Sequence, residues 1–250
     1  MSMDMNDHED KLGKRLEGRR ILVTGAAAGI GRSTALLFAQ EGASIALLDR
    51  DKENLHVVAE ELGGWAFPVD LTDDEAVTGA VGEAAAALSG IDGVVNAAGI
   101  MFQGLASEVS SKDWRRVIDI NLTGTYNVIS ASIPWLIQEP SATVVTIASA
   151  AGLLPNAPGL TAYAASKGGV VALSKALAAE LAPKVRVNTV CPGMVDTAMA
   201  DGFRANVGNY ALKRLADPIE IARTILFLTS HESSYVTGAA LAADGGRSFH

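Results

Sequence analysis

The chain has one cysteine, Cys191, in 250 residues, so no internal disulfide can staple it and a reducing compartment is expected. Aromatic residues make up only 5%, so the core must be built from small and aliphatic side chains packed closely. Basic residues are outnumbered 20 to 28, and the formal charge of −8 argues against nucleic acid or an anionic membrane surface as partner. No apolar run reaches the roughly 18 residues that would span a bilayer. The histidines (His8, His56, His231, His250) are scattered without metal-ligand spacing, and no metal is expected. Charged residues are scarce at 19% against 49% hydrophobic, which excludes a disordered chain. Residues 1–20 alternate acidic and basic side chains without an apolar signal-peptide core, which points to the cytoplasm. Residues 1–17 read as a flexible polar tail ahead of one domain over 18–250.

From Arg20 onward, short apolar runs recur: Ile21–Val23, Ser44–Leu48, Trp65–Val69, Gly93–Val95, Thr143–Ile147, Val185–Val190 and Ala239–Ala243. They are continuous rather than alternating, as in strands covered on both faces of a parallel sheet. The last is ambiguous because alanine favours helix. Helical patterns lie between them, at about 30–41, 53–62, 73–89, 111–138, 162–182 and 217–230. Asp73 and Asp217-Pro218 read as helix starts, and Pro134 should end or kink the fourth helix. Regular alternation implies right-handed βαβ crossovers. The expected fold is one Rossmann-like, doubly wound α/β domain: a parallel sheet of about seven strands in a three-layer αβα sandwich.

The first strand runs into Thr24-Gly25-Ala26-Ala27-Ala28-Gly29-Ile30-Gly31 and then a helix. Glycines there permit a tight turn and close approach to a pyrophosphate, which the helix N-terminus attracts. The position between the first strand and first helix is the context that a dinucleotide site requires. Asp49 ends the second strand roughly 20 residues further on, where a carboxylate accepts both adenosine-ribose hydroxyls and repels a 2′-phosphate. This favours NAD. Arg50 beside it keeps NADP as the alternative, since an arginine there could hold the phosphate.

Tyr163 and Lys167 stand at i and i+4, on one face of a helix. A phenol, ordinarily ionising near pH 10, becomes a usable acid/base if a neighbouring ammonium and the positive nicotinamide favour its anion. Ser149 closes the run Val144–Ala148, at the carboxyl edge of a strand, where α/β sheets bind ligands. Its hydroxyl could hydrogen-bond a substrate oxygen.

With these residues in hand, the chain resembles the short-chain dehydrogenase/reductase family, in its compact single-domain branch. The matching motifs run in order over roughly 18–246: Thr24-Gly25-x-x-x-Gly29-Ile30-Gly31, Asp70-Leu71, Asn96-Ala97-Ala98-Gly99, Asn121, Ser149, Tyr163-x-x-x-Lys167, Pro192-Gly193 with Thr197, and Asp244-Gly245-Gly246. The resemblance implies that Tyr163 is the general acid/base and that Ser149 orients the substrate oxygen. It implies that Lys167 holds the nicotinamide ribose and lowers the tyrosine pKa. Asn121 would keep a water linking Lys167 to solvent. Asp70 would face the adenine, Asn96 and Gly99 the adenosine side, and Thr197 with the Val195 backbone the carboxamide. It also implies a homotetramer. Two departures are visible: Ala97 stands where a second asparagine is common, and Ser149 precedes Tyr163 by one residue more than usual.

Leu153, Leu154, Met194, Met199 and Phe203 should form an apolar pocket. That favours a small uncharged secondary alcohol or ketone, alicyclic or hydroxysteroid-like. Cys191 reads as a packing residue and the basic cluster Lys112, Arg115 and Arg116 as a solvated helix face. The rival readings are an NADPH-dependent 3-oxoacyl-carrier-protein-type ketoreductase and a non-catalytic NAD-binding sensor or scaffold. The first is disfavoured by Asp49 and the acidic charge, the second by the complete set Asn121, Ser149, Tyr163 and Lys167.

Overall fold

A computed structural model describes residues 14–155, 157–202 and 204–248. Seven strands form one parallel sheet: β1 (Arg20–Thr24), β2 (Ser44–Asp49), β3 (Trp65–Pro68), β4 (Gly93–Asn96), β5 (Ala142–Ile147), β6 (Val185–Pro192) and β7 (Ala240–Ala243). Their order, β3-β2-β1-β4-β5-β6-β7, reverses direction between β1 and β4. That reversal opens a crevice at the carboxyl edge of the sheet. The alanine-rich last run is a strand, paired in parallel with β6, so sheet pairing outweighs alanine's helical preference there.

The continuous runs are buried because alternate residues face opposite layers. Leu22, Leu48, Val94 and Val144 pack beneath α3 (Asp74–Leu88), α5 (Gly124–Leu136) and α7 (Thr161–Leu181). Ile21, Val23, Leu47, Val95 and Val145 pack under α1 (Gly29–Gln40), α2 (Lys52–Leu62) and α8 (Pro218–Thr229). Asp73 caps α3 by accepting from Ala76 N, and Asp217 forms a capping box with Glu220 around Pro218. Away from the crevice, Arg19 and Arg20 both pair with the buried Asp92, joining the start of β1 to the start of β4.

Three local features depart from expectation. The fourth helical segment is α4 (Ser111–Ile118) followed by a π turn (Asp119–Thr123) and α5. The turn is closed by a hydrogen bond from Gly124 N to Asp119 O. Pro134 lies within the last turn of α5, which ends two residues later at Leu136. A short helix, α6 (Ala150–Leu153), follows β5 where a loop was expected. Finally, the tail boundary moves: Leu16 is fully buried against α1-side residues, and its N–H donates to Glu41 O at 2.9 Å. Residues 14–17 therefore belong to the fold, because an apolar leucine among charged neighbours anchors them; residues 1–13 lie outside the described residues.

Candidate functional site

The glycine loop has no space for side chains. A Cβ on Gly25 would lie 2.7 Å from Ala98 N, and one on Gly31 2.1 Å from Gly25 O. Gly25 also holds φ +64°, a left-handed conformation that glycine adopts without strain. The residue capping α1, Ala28, supplies no side-chain oxygen, and the first turn holds no acid. The next two helices along the chain are capped differently: α2 and α3 each spend an aspartate on their free N–H groups. At α1 the main-chain donors from Ala28 to Gly31 are left for an anionic ligand, which fits a pyrophosphate.

Asp49 sits at the end of β2 and is tied to this loop. Its Oδ2 accepts from Ala27 N at 3.1 Å and its Oδ1 from Asp51 N at 3.0 Å. Arg50 is exposed next to it. Asp70, also exposed, accepts from the Thr72 N–H and hydroxyl, which hold its carboxyl below the usual range with help from Arg50. Leu71 is 8% exposed with its side chain in the core, so only its main chain could face a ligand. Asn96 is buried at the end of β4. Its Oδ1 accepts from Thr24 Oγ1 at 3.4 Å, while its Nδ2 is buried without a hydrogen-bond partner among the described residues.

Ser149, Tyr163 and Lys167 converge at the carboxyl ends of β5 and β6. Ser149 caps α6, accepting from Ala151 N at 3.2 Å, and lines the same cleft as Tyr163. Burial pushes the Tyr163 phenol above its ordinary value, tempered by Ser149. Lys167 donates from Nζ to Ile147 O at 2.8 Å, and burial pulls it down to about 8. Cys191, fully buried nearby, is raised to about 11 by burial, as befits a packing residue.

Asn121 lies inside the π turn and is fully buried. Its Oδ1 accepts from Ile100 N, and its Nδ2 donates to Ile100 O and to Ser166 Oγ. Ser166, which the motif reading passed over, donates in turn to Tyr163 O at 2.7 Å. Gly99 passes so close that a Cβ there would lie 3.2 Å from Lys167 Nζ.

A cleft of about 570 Å³ joins these groups. Ile30, Ala97, Gly99, Pro192, Gly193, Val195 and Thr197 line it on the glycine-loop side, and Ser149, Tyr163 and Lys167 at its floor. Of the expected substrate residues, Leu154, Met194 and Met199 line it. Leu153 does not: it is 36% exposed at the end of α6. Phe203 lies outside the described residues. The lining is also less apolar than expected. Gln103, Asn209, Tyr210 and Arg247 contribute to it. Asn209 and Tyr210 come from the segment between β6 and α8, and Gln103 and Arg247 from other parts of the chain. Among the described residues no cluster of acids, histidines and cysteine could hold a metal, and no helix is long and apolar enough to cross a membrane.

A family model described as enoyl-(acyl carrier protein) reductase matches residues 25–248. A 3-oxoacyl-[acyl-carrier-protein] reductase of Thermotoga maritima is 41% identical over 243 residues, 93% of this chain and 98% of that protein. A trans-4-hydroxycyclohexanecarboxylate dehydrogenase of Sinomonas cyclohexanicum is 36% identical over 248 residues, 94% of this chain and 95% of that one. The crystal structure of a 3-ketoacyl-(acyl-carrier-protein) reductase from Brucella melitensis complexed with NADH superposes with TM-score 0.90 at 33% identity, covering 94% of this chain and all of the other. The site and these likenesses agree: the chain is an oxidoreductase belonging to the short-chain dehydrogenase/reductase family.

Proposed function

We propose that the chain is an NAD(H)-dependent oxidoreductase that interconverts a secondary alcohol and a ketone. The observation that carries this reading is the convergence of Ser149, Tyr163 and Lys167 in one cleft that also reaches Ile30 of the glycine loop. A bound nicotinamide would supply or take up the hydride. Tyr163 moves the proton at the substrate oxygen, and Ser149 hydrogen-bonds that same oxygen and steadies its developing charge. Since burial keeps the phenol protonated, Tyr163 is poised to donate, the step that ketone reduction needs. Lys167 would hold the nicotinamide ribose, and Asn121 fixes the main chain at Ile100 beside it. Gly25 through Gly31 would hold the pyrophosphate, Asp49 the adenosine ribose, Asp70 the adenine surroundings, and Val195 with Thr197 the carboxamide. Asp49 is the residue that supports NAD over NADP, since its carboxylate already stands at the loop.

An alicyclic alcohol is favoured by the Met194–Met199 side of the cleft and by the Sinomonas relative's name. A homo-oligomer is in keeping with the exposed Phe227 and Leu241 on α8 and β7, and the cytoplasm with the lone buried cysteine. A second reading has support of its own: the Thermotoga relative is named as a 3-oxoacyl-carrier-protein reductase, so a 3-oxoacyl thioester reduced with NADPH stands beside the first. Turnover should be measured on alicyclic ketones and on an acetoacetyl-carrier-protein thioester, each with NADH and NADPH. Tyr163→Phe should abolish turnover on the best substrate while NADH fluorescence still reports binding. Near-wild-type turnover in that variant would overturn the mechanism, and binding without oxidation across both panels would favour a sensor.

A further inference from the structure

We propose that Gly152 is a positioning residue: it sets how far the Ser149 hydroxyl stands from the Tyr163–Lys167 face of α7. The inference rests on the catalytic reading above. Ser149 and Gly152 are the two ends of one hydrogen-bonded turn, Gly152 N donating to Ser149 O at 2.9 Å while Ser149 Oγ accepts from Ala151 N. Moving Gly152 therefore moves Ser149. Gly152 is pressed directly on α7. A Cβ there would lie 2.8 Å from the Lys167 carbonyl carbon, 2.9 Å from its oxygen and 3.0 Å from Gly168 N. All three are backbone atoms of a helix and cannot swing aside. Its φ is not in the left-handed region, so the need for glycine here is space, not conformation.

Lys167 is thus gripped twice by one short stretch of chain. Its Nζ reaches the Ile147 carbonyl at the end of β5, and its main chain meets Gly152 five residues later. Ser149 lies between the two grips. The opposing glycine has no such constraint: a Cβ on Gly168 would meet only Gly152 O, at an ordinary 3.7 Å.

The test compares Gly152→Ala with Gly168→Ala, with Tyr163→Phe measured alongside. Relieving the clash requires α6 to retreat by roughly half an ångström. Gly152→Ala should lower kcat about tenfold or more, while the NADH dissociation constant stays within about twofold. Gly168→Ala should keep wild-type kcat. If Gly152→Ala does not fold, Gly168→Val drives branched methyls into the same contact from α7 and should give the same selective loss of kcat. A wild-type kcat in the folded wedge variant overturns the proposal, as does a loss of kcat matched by an equal loss of NADH affinity. Retained turnover in Tyr163→Phe would instead overturn the catalytic reading, so the two failures are told apart.

Discussion

Asp49 offers the sharpest test of the cofactor assignment. Asp49→Asn keeps the side chain's shape and removes its charge. Two like charges about 5 Å apart at an effective permittivity near 20 repel by ~3 kcal/mol. The carboxylate is only half-buried, so solvent and salt reduce this, and ~2 kcal/mol is a fair share for repelling a 2′-phosphate. Loss of charge-assisted bonds to ribose hydroxyls should weaken NADH by a further ~1.5 kcal/mol or more. The ratio of kcat/KM for NADH over NADPH should therefore fall by about three hundredfold in Asp49→Asn. Arg50 remains in place and is exposed, so it can receive the phosphate once the repulsion is gone. The variant also loses a good acceptor for Ala27 N or Asp51 N, and thermal unfolding should show a cost of about 1 kcal/mol. Steady-state kinetics with both cofactors at low and moderate salt decide the matter. An unchanged ratio in Asp49→Asn, or a wild-type preference for NADPH, refutes the argument.

Other consequences are as open to measurement. Lys167 is held at about 8, below the ordinary 10.5, so between those values the unfolded chain binds more protons and stability rises with pH. Below about 8 the cost of the buried ammonium is fully present, ~3 kcal/mol. Lys167→Met should thus be inactive yet more stable than wild type at pH 7, by up to that amount, with the gap closing toward pH 10.5. Denaturant titrations must be read as the difference between variant and wild type. Cys191, raised to about 11, acts in the opposite sense: its contribution is lost as pH climbs above 9. Gly31→Ala would put a methyl 2.1 Å from Gly25 O, so the thermal shift caused by NADH should vanish; a normal shift would contradict the cradle geometry. Leu16→Ala should cost about 2–4 kcal/mol in urea unfolding, whereas a true tail residue would cost nothing measurable.

Much of the architecture was legible because a two-faced parallel sheet writes itself as unbroken apolar runs, and Ile21 through Val23 sends neighbouring residues to opposite layers. The glycine loop and the Tyr163–Lys167 pair were legible because each is local: a turn with no room for Cβ atoms, and one step along a helix. What escaped depends on contacts between distant segments. α6 is a helix of four residues, too short for periodicity to reveal, and the extended Ser149 cap and the backbone of α7 shape it. Leu153 and Leu154 are interchangeable in sequence, and only the end of that helix decides which meets the cleft. Leu16 was hidden among charged residues, since a single buried leucine makes no pattern. Gln103 reaches the cleft from a segment with no motif, and Arg247 from just beyond Asp244-Gly245-Gly246, a motif that gave no sign of a role for the next residue.

The π turn at Asp119–Thr123 also bears on how the chain tolerates length changes. It carries one residue more than a regular helix would need over the same rise. Losing one residue there would leave a regular helix with α5 still in phase with the sheet, but would remove the widened turn that holds Asn121. Val128, Ile129 and Leu136 would keep their places in the core, whereas Asn121 would no longer meet Ile100. A segment that looks like spare length is thus what presents Asn121 to Ile100, and a deletion within it would cost the active site before the core.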